Sequence, residues 1–391
     1  MRNIASRPDG PRGRPRRKAE PGQIVITGLG VSTAFGRGED RLLDGLASGQ
    51  PAFRPASRFD TGGCRATMAA ELAGEPKLGA EIAAVTDQAC QRAGLDAVSR
   101  AEADFLLALH TDSDRARDPE ASDVIGAVPA EVAAATGLPY PARIYTTACV
   151  AGSTAVADAA AMISAGRASQ VIVAAGFLVD ADSFRLFDAG RTLAVDGQVR
   201  PFSSGRKGML LGDGIAAVVV ESAQAASRRG AEVLALMTGW GRAGDAFHVV
   251  QPHPDGTGLA RAITAALGRG KVAPAEVGYI NANGSGTAFA DASESAAIHR
   301  AFEAAVGSVP VSSTKSLHGH ALEASSLIEL VVTVLALQAG LLPVNAGFLA
   351  DDPACQLSLV LGTSRQARPR YALCLNAAFG GASTALLLAA A

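Results

Sequence analysis

Cysteine is scarce in this chain, with five among 391 residues. Cys64, Cys90, Cys149, Cys355 and Cys374 are odd in number and irregularly spaced, with no Cys-x-x-Cys pair. That excludes a zinc knuckle and a disulfide framework. In a reducing cytoplasm, the compartment expected here, each is by default a small buried hydrophobe. Charge is also sparse, at 18% of residues. No apolar run reaches the roughly 20 residues that a bilayer span needs. The longest, from Leu327 to Leu337, is broken by Glu329. The first 20 residues lack an apolar stretch, so no signal peptide is expected.

Those 20 residues hold seven basic side chains (Arg2, Arg7, Arg12, Arg14, Arg16, Arg17, Lys18) and two acidic ones (Asp9, Glu20). The remainder carries 28 basic and 35 acidic residues. The arm is rich in Pro and Gly and has no aromatic residue, so residues 1–21 read as a solvated, disordered tail and not as a nucleic-acid binder.

What is abundant is apolar residues, at 48%, and glycine, at 43 residues. That composition fits a tightly packed α/β protein. Short apolar strands are expected at Ile24–Gly30, Ala103–His110, Val171–Ala175, Gly214–Glu221, Val233–Trp240, Val277–Ala282, Val309–Ser313, Tyr371–Asn376 and Ala382–Ala389. Helices are expected at Gly256–Leu267, Asp291–Phe302 and His320–Ala339. Alternation of the two implies largely parallel sheets faced by helices. Residues 111–128 open polar and charged and read as an excursion. Gly212-Asp213-Gly214 feeds an apolar strand, and so does Gly380-Gly381-Ala382. This echo hints at two related halves, 22–230 and 231–391.

The most informative stretch is Tyr145-Thr146-Thr147-Ala148-Cys149-Val150-Ala151-Gly152-Ser153-Thr154. A β-favouring segment gives way to small residues that suit a helix. Cys149 therefore falls at a strand-to-helix turn, where free N–H groups and the helix dipole favour a thiolate.

Four blocks, in order, resemble the β-ketoacyl synthases. Thr147-Ala148-Cys149 is similar to the nucleophile motif. Asn281-Ala282-Asn283-Gly284-Ser285-Gly286-Thr287 is similar to the family's Asn-Ala-His-Gly-Thr-Gly-Thr block, with Asp291 and Glu294 at its downstream acids. Ser313-Thr314-Lys315-Ser316-Leu317-His318-Gly319-His320 is similar to the Lys-Ser-x-x-Gly-His block, with Glu329 further along. Leu373-Cys374 and Phe379-Gly380-Gly381 resemble the C-terminal loop. Val25-Ile26-Thr27-Gly28-Leu29-Gly30 resembles the opening strand.

The resemblance implies an α/β thiolase fold of two duplicated halves in five layers, usually a dimer. It implies that Cys149 takes an acyl group from an acyl carrier protein or a coenzyme A thioester. The backbone N–H groups of Cys149 and Phe379 would form the oxyanion hole, and Phe379 would gate the acyl pocket. His320 would donate a hydrogen bond to the thioester carbonyl or enolate. Lys315 would hold the histidine network and Glu294. The partner would be a second copy or a related ketosynthase subunit. No metal or organic cofactor is implied.

This chain departs from the family at several points. Asn283 stands where the family has its first histidine. An amide cannot take up a proton, but it still donates two hydrogen bonds. Glu323 and Ser326 replace glycines, and a carboxylate one turn from His320 is expected to salt-bridge with it or raise its pKa. Gly205-Arg206-Lys207 replaces an Asp-x-Asp pair, and Leu375-Asn376-Ala377 an Asn-Ser-Phe. The 111–127 stretch is shorter than in a housekeeping synthase. Three readings stay open: decarboxylative Claisen condensation, acyl transfer without elongation, and a scaffolding subunit. Retention of Cys149 speaks against the last, because the family's non-catalytic partners usually lose it.

Overall fold

The computed structural model describes Glu20, residues 22–110 and residues 126–391. The expected N-terminal tail, and residues 111–125 of the excursion, lie outside the described residues.

Ten strands carry the architecture. In the first half they are β1 (Ile24–Thr33), β2 (Asp104–Leu109), β3 (Arg143–Tyr145), β4 (Gln170–Phe177) and β5 (Gly214–Ser222). In the second they are β6 (Ala235–Gly244), β7 (Val277–Asn281), β8 (Val311–Ser312), β9 (Tyr371–Ala377) and β10 (Ala382–Ala390). They follow one another across the sheet as β8-β7-β9-β10-β6-β1-β5-β4-β2-β3. The order of each half is the same once five is added to the strand number. The senses repeat too. β2 runs parallel to β3 and β4, as β7 does to β8 and β9, and β5 and β10 are antiparallel to their neighbours. The halves join where β1 meets β6 at Ile24–Ile26. The glycine-to-strand echo thus marks equivalent strands, β5 and β10.

The strands read as continuous apolar runs because both faces are covered. All ten residues of β1 are buried. Successive side chains point to opposite faces. Phe105 and Leu107 pack with Ile82, Val85 and Ala89 of helix α1 (Leu78–Ala93), while Leu106 and Ala108 face inward. In the second half, Leu373, Leu375 and Leu387 pack outward against Ile263 and Ala266 of α3 (Thr257–Gly270), beside α4 (Ala288–Phe302). Ala372, Cys374 and Leu386 face inward.

Between the sheet faces lie α2 (Ala151–Ser164) and α5 (Leu322–Ala339), giving the five layers of a thiolase fold. A helix that is apolar all round belongs in an interior. α5 is long and apolar enough to cross a membrane by length and composition, but 89% of it is buried inside the protein. The two central helices pack closely because Gly152 leaves room. A Cβ there would stand 2.9 Å from Leu327 Cβ and 3.1 Å from its amide N.

The expected elements are present, some with extended and some with trimmed ends. The strand expected over Val309–Ser313 is two residues long, and the helix expected from His320 begins at Leu322. His320 instead bridges to Leu211, its N–H donating to the Leu210 carbonyl.

Candidate active site

The site gathers at the C-terminal ends of parallel strands, the usual location for ligands in α/β sheets. After β3 comes a short 3₁₀ turn, Ala148–Val150, that leads into α2. Ala148 holds a left-handed φ of 49°, a conformation costly for a residue with a Cβ. That bend presents Cys149, which is buried at 9% exposure. The sequence favours a thiolate at this helix start, yet the fold outweighs it. Burial pushes the thiol up to about 12, with Glu323 adding to the rise. Lys315 and the Cys149 backbone N–H pull the other way. Burial therefore favours the thiol form of Cys149 at neutral pH.

After β7 comes Asn283, buried at 5% exposure. Its backbone is fixed by Glu294, whose two oxygens accept from the N–H groups of Asn283 and Gly284, each at 2.7 Å. Its side chain is fixed by Lys315, whose Nζ donates to Asn283 Oδ1 at 3.1 Å and to its carbonyl at 2.7 Å. An ammonium only donates, so the amide oxygen must face it, and the two amide N–H groups are directed away. Lys315 also ion-pairs with Glu329, whose other oxygen accepts from Asn376. Lys315 was expected to grip Glu294. It grips Glu329 instead, because Glu294 is spent on the loop's N–H groups.

His320 is buried and keeps to its neutral form. Burial, with Lys315 and His318 nearby, lowers its pKa well below the usual value. Nδ1 accepts the Leu322 N–H at 3.0 Å and lies 3.0 Å from Ser325 Oγ. A ring nitrogen that accepts an amide N–H carries no proton, so the proton sits on Nε2. His320 is thereby built as a donor. His318 lies outside this arrangement, its Nε2 3.0 Å from Thr314 Oγ1. The expected pairing of Glu323 with His320 does not form. Glu323 faces His110 at 3.4 Å, a residue that sequence reasoning passed over. Its signal was its place just after β2.

Phe379 stands in a short turn after β9, 43% exposed, and stacks on Phe187 with ring centroids 6.1 Å apart. Arg206 Nη2 donates to Asp352 at 2.7 Å, and its Nε lies 3.9 Å from Asp291. Among the described residues, no group of three or more His, Cys, Asp or Glu is placed to hold a metal ion.

The β-ketoacyl synthase N-terminal domain matches residues 93–226, and the C-terminal domain of the same family matches residues 234–349. The chain belongs to the β-ketoacyl synthase family. Over 412 residues it is 32% identical to the tetracenomycin polyketide synthase ketoacyl synthase alpha subunit of Streptomyces glaucescens, covering 94% of this chain and 97% of that one. The solved ishigamide ketosynthase/chain length factor superposes with a TM-score of 0.87 at 29% identity, over 95% of this chain and all of that one. A type II polyketide synthase acyl-carrier protein in complex with its ketosynthase, bound to the hexaketide, superposes at 0.86 with 24% identity, over 95% of this chain and all of that one. This last likeness speaks for the fold alone.

Proposed function

We propose that the protein is a ketosynthase-like acyltransferase of a polyketide or fatty-acid-like pathway. Cys149 takes an acyl group from an acyl carrier protein or a coenzyme A thioester. The acyl-enzyme then condenses with a malonyl thioester. The sulfur attacks the thioester carbonyl, the carrier leaves as a thiol, and the thiol proton of Cys149 is handed over in the same exchange. Loss of carbon dioxide from the malonyl group leaves an enolate. That enolate attacks the acyl carbon and frees the cysteine sulfur, which regains a proton.

The observation that carries this reading is the orientation of two neutral donors. Lys315 turns the Asn283 amide so that its N–H groups are free to donate, and the Leu322 N–H turns His320 so that Nε2–H is free. Neutral donors stabilise a developing enolate without moving a proton. One preorganised donor is typically worth about 3 kcal/mol of barrier. The backbone N–H groups of Cys149 and Phe379 serve the first step as the oxyanion hole. The relatives that act with a carrier protein or a chain length factor support a carrier donor and a partner that is a second copy or a related subunit. A second reading, acyl transfer to an alcohol, amine or thiol without elongation, is favoured by the lost acid–base group at Asn283 and by the carboxylate that Glu323 brings near Cys149.

Intact-protein mass spectrometry after mixing with acyl-loaded and malonyl-loaded carrier tests these readings. An acylated enzyme with an extended β-ketoacyl carrier supports condensation. An acylated enzyme with an untouched malonyl carrier supports transfer. No adduct on the wild type, or the same adduct on Cys149→Ala, rejects both. Asn283→His should raise malonyl decarboxylation by about tenfold or more, since it restores acid–base help at this position.

A further inference from the structure

Glu323 is a buried ionisable group to which the reading above gives no task. It lies in the first turn of α5 and is 5% exposed. Its Oε2 is buried without a hydrogen-bond partner among the described residues. The neighbouring acids are engaged: Glu294 and Asp291 each accept two backbone N–H groups, and Glu329 holds Lys315 and Asn376. A bare buried carboxylate oxygen is costly, because its lost hydration is not repaid by a hydrogen bond. That oxygen is left able to accept from a group brought near it.

Its position names that partner. The turn that carries Cys149 packs against α5. Ser153, one turn beyond Cys149, donates its N–H to Ser326 Oγ at 2.9 Å, and Ser326 lies one turn beyond Glu323. After burial itself, Glu323 is the largest influence on the Cys149 thiol. Its other oxygen faces His110 Nδ1 at 3.4 Å, and His110 is exposed. The first turn of α5 thus sets Glu323 beside the turn that carries Cys149, with one carboxylate oxygen toward an exposed ring.

The site's other groups are poorer acceptors, and Glu329, the other carboxylate that raises the thiol, is already held by Lys315 and Asn376. Asn283 is an amide, Lys315 Nζ is spent on Asn283 and Glu329, and His320 has its one free nitrogen already protonated. Resting on the acyl-Cys149 reading, we propose that Glu323 is the general base that takes the Cys149 thiol proton, with His110 exchanging that proton with solvent. As the S–C bond to the acyl carbon forms, the S–H proton passes to Glu323 Oε2. As the C–S bond to the carrier breaks, the departing thiolate is protonated from the same carboxyl or through His110. No proton or electron is left over.

A passive carboxylate and a base predict opposite signs, so Glu323→Gln separates them. A passive negative charge only hinders thiolate formation, and its removal should speed any reaction of Cys149. Removal of a base should slow it. Two probes are used on the full chain at pH 7.5: hexanoyl-N-acetylcysteamine, followed by intact mass, and iodoacetamide, which needs no acyl recognition. We expect Glu323→Gln to acylate about 100-fold more slowly or worse, in keeping with general-base catalysis, and to alkylate more slowly as well. We expect His110→Asn, at an exposed position that leaves packing intact, to acylate about tenfold more slowly. Equal or faster reaction of Glu323→Gln with both probes overturns the proposal. If that variant melts early, unchanged acylation of His110→Asn overturns the relay. A wild type that iodoacetamide modifies at Cys149 but the thioester does not would instead reject the acyl-enzyme reading on which this rests.

Discussion

At the scale of single residues, the site is governed by a few buried charges and the groups that satisfy them. Lys315 is the centre of that set. It is 1% exposed and links Asn283 to Glu329, with Asn376 closing the far side of the carboxylate. A buried pair contributes little net stability, but removal of one partner leaves the other charge stranded. Lys315→Met should therefore cost about 3–5 kcal/mol, seen as a lower denaturation midpoint with an unchanged slope. The cost should shrink sharply when Glu329 is changed to Gln in the same chain. A double-variant cycle with no coupling between the two would sink the pairing. The same substitution frees Asn283 Oδ1, and the amide then loses the orientation that aims its N–H groups. The thiol obeys the same logic. Its raised pKa keeps Cys149 unreactive until a proton acceptor and a substrate are both in place, and a sulfur of high pKa is the stronger nucleophile once deprotonated.

At the scale of elements, the central helix pair decides where the chemistry sits. α2 and α5 start side by side, so the loop after β3 and the loop after β8 deliver their residues to one place. Their close approach depends on Gly152. Gly152→Val should force Leu327 aside and cost about 1–3 kcal/mol by overpacking. It should also slow Cys149 acylation more than a remote core change of equal cost, because Cys149 lies one turn away. Thermal melts paired with acylation rates, measured beside a distant variant such as Ile263→Val, would show whether the two effects separate. Much of this was legible in the sequence. Small residues after Cys149 marked a close-packed helix, and the glycine turns before β5 and β10 marked a repeat. The pairing of His110 with Glu323 was not legible, because the two lie more than 200 residues apart in the chain. β2 occupies in the first half the place of β7 in the second, so His110 and Asn283 follow equivalent strands. The orientation of His320 was hidden as well, since it depends on a backbone N–H that becomes a donor only when α5 starts at Leu322.

At the scale of the whole molecule, burial of so many acids gives stability a pH dependence whose sign follows from the shifts. Asp291 and Glu329 are raised to about 6, and Glu294 to about 8, burial being the largest cause for each. An acid raised in the folded state holds a proton that the unfolded chain has already lost, so stability falls as pH climbs from its ordinary value to its shifted one. His318, lowered to about 3, and His320, also lowered, act in the opposite sense, but only below the ordinary histidine value. The Cys149 thiol, raised to about 12, acts only at alkaline pH. Among the described residues, two groups are argued to act between about pH 6.5 and 8. Glu294 is one. His110 is the other, raised by its hydrogen bond to Glu323, and its favourable share is lost as pH rises through its shifted value. Both push the same way, although the exposure of His110 keeps its share small. Unfolding free energy should therefore fall by about 2 kcal/mol from pH 6.5 to 8, near the limit of 1.4 kcal/mol per pH unit for one proton. Urea unfolding at half-unit steps measures it. Glu294→Gln should flatten most of that slope while lowering the whole curve, because an amide cannot accept from both the Asn283 and Gly284 N–H groups. A slope that survives in Glu294→Gln would place the titrating proton elsewhere and leave the Asn283 loop held by a carboxylate that is already ionised at pH 6.5.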